Sequence, residues 1–259
     1  MSMHRMAVAL TPLSLLMLAA CASGGATRRN ASVVQYLYSK DVAPATATPT
    51  LRLPLTVGVA FVPDDVPGGA HAAPLSETTR VEVLRRVAGR FRARSFVRRI
   101  EVIPTAYLTP RGGFDNLDRL RAMFGVDVVV LVSYDQVQSE SDRKLAVTYL
   151  TVAGAFLVHG QKNETRTMVD AAVFDVASRR LLFRAPGVSS LQSGAAAVES
   201  DGVQRRDADR GMRQAVEDMM KQLEVALDEF TQRVKDEPTS FSVVRGDADA
   251  RATPPASQP

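Results

Sequence analysis

Val128-Val129-Val130-Leu131-Val132 is apolar at five consecutive positions. A strand with one face in water alternates apolar and polar side chains, so an unbroken run must be buried on both faces. Burial on both faces requires helices above and below a sheet, and the preceding sequence supplies the pieces in order. Leu55 to Val62 is a β-rich run closed by Pro63, and Phe96 to Ile103 is a second, closed by Pro104. Between them Ser76 is suited to an N-cap and Glu77 to the first helical turn, and Val81, Leu84, Val87, Ala88 and Phe91 recur at helical spacing. Asp115 reads as the cap of a shorter helix running through Phe124, with Gly125 just past its end. Strand, helix, strand, helix, strand is the order of an α/β sheet with packed helices.

Downstream, Gly160 to Glu164 reads as a turn, and Thr165–Val176 and Leu181–Arg184 read as antiparallel strands joined at Ala177-Ser178-Arg179-Arg180. Pro186-Gly187 is expected to end that hairpin, and a Ser, Gly and Ala-rich loop to follow. From about Arg206 to Lys235, Met212, Val216, Met219, Leu223, Ala226 and Phe230 form a heptad-like seam, expected to pack along the chain's own sheet rather than in a coiled coil with a partner. The predicted class is α/β with α+β character: a mixed sheet with a β-α-β-α-β start, a following β-hairpin and a long C-terminal helix. Leu145 to Val158 fits three readings: a short buried helix, a strand with a bulge at Gly154, or an exposed patch touching a membrane.

The N-terminus bears on location. His4 and Arg5 precede an apolar run from Met6 to Met17, followed by Leu18-Ala19-Ala20-Cys21. An apolar core of about 12–15 residues is short of the roughly 20 a spanning helix needs, and with a positive start and small residues it reads as a secretory signal peptide. The Cys after Leu-Ala-Ala is similar to the lipobox of bacterial lipoproteins. That resemblance implies cleavage between Ala20 and Cys21, diacylation of the Cys21 thiol with palmitate-type chains, and acylation of the new amine. Two or more chains anchor stably where one does not. Cys21 is the only cysteine, so it has no disulfide partner; the competing reading is a secreted protein with an incidental Cys at its cleavage site. Ala22 stands where lipoproteins retained at the inner membrane commonly carry Asp, so the resemblance implies an outer-membrane anchor facing the periplasm.

The chain then divides into residues 1–20 as signal peptide, 21–54 as lipidated tether and linker, 55–236 as one globular periplasmic domain, and 237–259 as a mostly disordered, Asp, Ala and Pro-rich tail. Ala22 to Thr27 is small and tether-like. Val33, Val34, Leu37 and Tyr36 or Tyr38 are placed to form one face of a short docking helix, or alternatively a segment touching the bilayer. Pro44, Pro49 and Pro54 mark the linker. An apolar share of 46% suffices for a core, and a formal charge of +4 implies neither nucleic acid nor an acidic substrate.

Chemistry-bearing residues are sparse. Of the three histidines, His4 lies in the signal peptide, His71 in a loop and His159 at the end of an apolar run, and no two stand at metal-ligand spacing. Nucleophile-elbow and phosphate-loop motifs are missing from the sequence. Gly112-Gly113 before a helix would suit an anion, but Asp115 opposes one. Asp127, Asp135, Asp170 and Asp175 flank strands, where aspartate ordinarily caps or turns the chain; a pair could also do acid–base work. Arg80, Arg85, Arg86, Arg90, Arg92, Arg94, Arg98 and Arg99 are the densest charge. Arg85, Arg86, Arg90 and Arg92 fall off the apolar stripe, as a solvated face or a partner surface for acidic groups requires. The reading is therefore no catalytic residues, no metal and no cofactor.

Three pieces together carry a family resemblance: the lipobox, Ser32 to Tyr38 shortly after it, and the block from Val152-Ala153-Gly154-Ala155-Phe156 through Gly160 to Thr165 and on from Asp175 to Gly187. These resemble the rhombotarget lipoproteins, a bacterial family associated with rhombosortase processing. The resemblance spans Cys21 to about Val234 and implies an envelope lipoprotein without supplying an activity. The end of the chain, Pro254-Pro255-Ala256-Ser257-Gln258-Pro259, lacks the Gly-Gly, apolar span and basic end of a rhombosortase substrate. At fold level the element order is similar to the periplasmic domains of penicillin-binding-protein activator lipoproteins and the curli-secretion lipoprotein, an analogy that carries no function. The expectation is a non-catalytic envelope binding or assembly factor with a protein partner. The alternatives are an apolar-ligand carrier using 145–158 and a carboxylate hydrolase using Asp135, Asp170 or Asp175.

Overall fold

The computed structural model describes residues 26–38, 47–64, 75–142, 161–195, 200–237 and 239–245. Its larger sheet contains β1 (Ala26–Ala31), β3 (Leu55–Phe61), β4 (Val97–Ile103), β5 (Val128–Asp142), β6 (Gln161–Asp175) and β7 (Arg180–Ala195), while β2 (Thr50–Leu53) and β8 (Ser242–Arg245) pair separately in parallel. The helices are α1 (Val33–Leu37), α2 (Glu77–Arg92), α3 (Gly113–Phe124) and α4 (Ser200–Asp236). Strand order is β4-β3-β5-β6-β7, with β1 also against β5.

β3 is parallel to both β4 and β5, so α2 carries the chain outward from β3 to the edge strand β4 and α3 carries it back past β3 to β5, crossovers in opposite directions. Right-handed crossovers in opposite directions place their helices on opposite faces. Ion pairs from Arg90 of α2 to Glu224 and from Arg94, just past the end of α2, to Asp228 hold this part of the chain to α4 on one face. On the other, Phe114 of α3 meets Phe174, and Tyr36 of α1 bonds Asn116 of α3. Val128 to Val132 are each 2% exposed or less between these layers, as the unbroken apolar run requires.

Several local expectations change. Ser76 caps α2 as expected, but the buried stripe takes Val83 and Arg80, and Val81 is half-buried. Arg80 turns inward because its guanidinium meets the Leu75 carbonyl at 3.2 Å, the Val62 carbonyl at 3.4 Å and the Asp64 carboxylate. Gly112, not Asp115, caps α3, since the Asn116 side chain closes the loop by accepting the Thr109 N–H at 2.8 Å. Gly125 ends that helix in the left-handed conformation (φ 64°).

β6 starts at Gln161, where a turn was expected, and β7 runs straight through Pro186-Gly187 to Ala195. A proline without an N–H is tolerated because β7 is an edge strand. Gly187 is required there: a Cβ would lie 2.2 Å from the Ala215 carbonyl oxygen and the Met219 nitrogen of α4. The long helix starts at Ser200 and buries Met212, Val216, Met219, Leu223 and Phe230 against the sheet. Both ends of the chain hold more structure than tether and tail. Ala26 and Thr27 already belong to β1, Thr50–Leu53 in the expected linker is β2, and Ser242–Arg245 in the expected tail is its partner β8. α1 docks through Tyr36 and Leu37, leaving Val34 and Tyr38 exposed. Cys21 and the 145–158 segment lie outside the described residues.

Gly187→Ala forces backbone against backbone and is expected to destabilise by about 3 kcal/mol. Gly89→Ala on exposed helix surface, with nothing within 4 Å of the new Cβ, is expected to stabilise by about 0.5–1 kcal/mol. Denaturant unfolding of both variants checks the pair.

Candidate functional site

Past Val132, β5 leaves β3 behind and continues with β6 and β7 as a long antiparallel arm. One face of the arm is covered by α4. Phe183 meets Phe230, Gly187 lies against Ala215, and Ser189 bonds Gln214. Strand alternation places Ser133, Asp135, Met168, Asp170, Arg184 and Val188 on the opposite face. There α1 and β1 border a cavity of about 330 Å³ whose lining includes Arg28, Ser133, Asp135, Met168, Asp170 and Arg184. Exposed apolar side chains surround it: Val34 at 67%, Met168 at 41% and Val188 at 62%.

Two of the four strand-end aspartates line this cavity. Asp135 accepts from Arg28 Nε at 2.9 Å and Nη2 at 2.6 Å. Asp170 accepts from Arg184 Nε at 3.3 Å and lies 3.1 Å from its Nη2. Bidentate arginine pairing fixes a carboxylate's orientation and favours its charged form. The hydrogen bond to Asp135, with its charge, raises the Arg28 pKa further. Asp170 is different: its side chain is 12% exposed, and burial pushes its pKa above the ordinary 3.8, with Arg184 only partly opposing the shift. The arrangement therefore offers one bidentate pair at the cavity rim and one pair whose carboxylate is poorly solvated, beside apolar contact area.

The other two aspartates hold the backbone, as strand-end aspartates ordinarily do. Asp127 Oδ2 accepts the Thr56 N–H at 2.8 Å, and Asp175 accepts the Ser178 N–H at 2.8 Å together with the Ser178 hydroxyl. Arg85, Arg86, Arg90 and Arg92 are all exposed on α2, but Arg90 is engaged by Glu224. Arg85, Arg86 and Arg92 have no ion-pair partner among the described residues. Arg28, Ser133 and Arg184 were not singled out from sequence. The available hint was the period of two: Ser133 and Asp135, and Met168 and Asp170, each share a face once the strands are known to continue.

A second cluster sits at the carboxyl end of β3. Asp64 pairs with Arg80 and accepts the Tyr134 hydroxyl at 2.9 Å, and Arg80 lies over the Phe61 ring, 5.0 Å from its centroid. Burial first, then the Asp64 charge, pushes the Tyr134 phenol up to about 12, so it stays a donor. No protein-family model matches the chain, and no curated protein matches it.

The raised Asp170 pKa sets the sign of a pH effect. The folded protein holds this proton more tightly than the unfolded chain, so this group adds stability as pH falls through the raised value, completely so below the ordinary 3.8. Asp170→Asn removes the titration. The stability difference between wild type and Asp170→Asn is expected to move in favour of wild type between pH 7 and pH 4, measured by urea unfolding at both values.

Proposed function

We propose that the protein is an outer-membrane-anchored periplasmic lipoprotein and a non-catalytic binding or assembly factor of the cell envelope, which engages a protein partner on the open face of its antiparallel arm. The observation that carries this reading is the cavity beside Val34, Met168 and Val188, where Asp135 and Asp170 are both already paired with arginine. Carboxylates clamped by bidentate arginine recognise; they are poor proton shuttles. Apolar side chains with both signs of charge at their border have the composition of a protein contact surface, for an envelope protein presenting an apolar patch flanked by charge. The anchor rests on Leu18-Ala19-Ala20-Cys21 and on the resemblance to the rhombotarget lipoproteins. The placement of β1, which enters the sheet at Ala26, supports a body held close to that anchor.

In cells, a photo-crosslinking residue at Met168 or Val188 is expected to give a discrete protein adduct in the membrane fraction. The same residue at exposed Lys221 on α4 is expected to give none. Cys21→Ser is expected to release the protein from the membrane and remove the adduct. No adduct from either sheet position in the wild type overturns the binding reading, and a mature Cys21 without acyl chains overturns the anchor.

A further inference from the structure

The arm has an orientation relative to the anchor. β1 runs antiparallel to β5, with Ala26 opposite Ser139 and Ala31 opposite Tyr134, so the chain enters the sheet at the far end of the arm. Five peptide steps connect Cys21 to Ala26 and span at most ~17 Å. α4 starts at that same end: Gln138 bonds the Gln204 carbonyl at 2.7 Å, Gln136 bonds the Ala208 carbonyl at 2.9 Å, and Ser193 bonds Asp207.

This first part of α4 carries Arg205, Arg206, Arg210 and Arg213, all exposed and none in an ion pair among the described residues. Arg206, Arg210 and Arg213 stand four and three residues apart and so share one stripe. Between residues 202 and 214 the only exposed acidic side chain is Asp209, since Asp207 is buried and bonded to Ser193. The ordinary reading is a solvated helix face. Farther along the same helix, however, the outer face mixes signs, with Glu217, Lys221, Asp228 and the half-buried Glu224, and Glu224 and Asp228 pair with Arg90 and Arg94. On α4 the unpaired positive excess is confined to the end nearest Ala26, which lies five peptide steps from Cys21.

We propose that this arginine face of α4 docks on the anionic headgroups of the bilayer that carries the acyl chains, laying the arm along the membrane with its open sheet face turned away. The proposal rests on the anchored reading given above. Basic residues close to an anionic surface are attracted to it, and the attraction fades within a Debye length.

A pair of labels at one level of the arm tests this. Ser189 bonds Gln214, so Gln214→Cys reports the helix face and Ser190→Cys the sheet face at the same height. Cys21 is the only native cysteine, and acylation blocks it, so each introduced thiol is unique. The acylated full protein is reconstituted in vesicles of phosphatidylcholine, with or without phosphatidylglycerol, carrying a headgroup-borne quencher. With phosphatidylglycerol at low salt, the Gln214 label is expected to be quenched several-fold more than the Ser190 label. That asymmetry is expected to vanish in high salt, in pure phosphatidylcholine, and in the combined Arg205→Gln, Arg206→Gln, Arg210→Gln, Arg213→Gln variant. Equal quenching of both labels, or an asymmetry indifferent to salt and to the four substitutions, overturns the docking. The mass of the mature protein reports acylation separately. If Cys21 is unmodified the anchored reading falls, and salt-sensitive flotation with anionic vesicles, lost in the fourfold variant, still decides whether the arginine face binds lipid.

Discussion

The side-chain amide of Gln136 is 1% exposed at the point where the arm is assembled. Its Nε2 donates to Thr167 Oγ1 at 2.7 Å on β6 and to the Ala208 carbonyl at 2.9 Å on α4, while its Oε1 accepts from Arg29 Nε at 2.7 Å on β1. A buried amide left without partners is costly, so these three bonds hold three elements against β5 together. The backbone imposes the same condition. β3 ends opposite Val132, which leaves the following residues of β5 with one unpaired edge, and β1 supplies the missing partner from Tyr134 to Ser139. The segment from Ala26 to Ala31 is therefore part of the sheet rather than a tether beside it.

That condition also explains where the open cavity lies. In open α/β sheets the crevice beyond the carboxyl ends of the strands, where connections diverge, is the usual ligand position. Here Arg80 fills it from α2, holding Asp64 and two carbonyl oxygens, and the Tyr134 hydroxyl completes the cluster. The Arg80 guanidinium, buried while Asp64 stays partly exposed, is kept there by its additional hydrogen bonds, and removing Asp64 would leave it without its counter-charge. With the crevice occupied by the protein's own side chains, the concavity that gathers paired charges and apolar side chains lies on the other face of β5, between α1 and the arm.

The core was legible because its code is local. Val128 to Val132 announced a doubly covered strand, Ser76 and Gly125 bounded their helices, and the seam from Met212 to Phe230 described a helix on its own sheet. The β6–β7 hairpin was legible as well, but the far end of the arm was not, because its residues are polar enough to resemble loops. Gln161 to Glu164 and Ser189 to Ser193 are strands only because they pair with each other and with β5 over a long register. Pro186-Gly187 read as a terminator, yet an edge position excuses the proline and the approach of α4 demands the glycine. The candidate site suffered from the same cause. Asp135 and Asp170 could be named, but their meeting in one cavity depends on strand continuation, and Arg28 and Arg184 become partners only through cross-strand pairing.

The two faces of the arm are unlike in kind, which argues for two different neighbours. The helix face ends in unpaired arginines with no exposed apolar cluster among them, suited to headgroups that stay hydrated. The sheet face pairs its charges internally and exposes Met168 and Val188, suited to a surface that expels water. A helix of 37 residues measures about 55 Å along its axis, several times the ~17 Å that the chain from Cys21 to Ala26 can span. Standing upright on so short a link, the body would touch lipid only at its tip and leave the arginine stripe facing solvent. Lying on the helix face as proposed, it would satisfy the stripe and turn the cavity between α1 and the arm away from the lipid. On the proposed reading, anchor, charge and cavity are consequences of one choice: using the segment that follows Cys21 as a strand of the sheet.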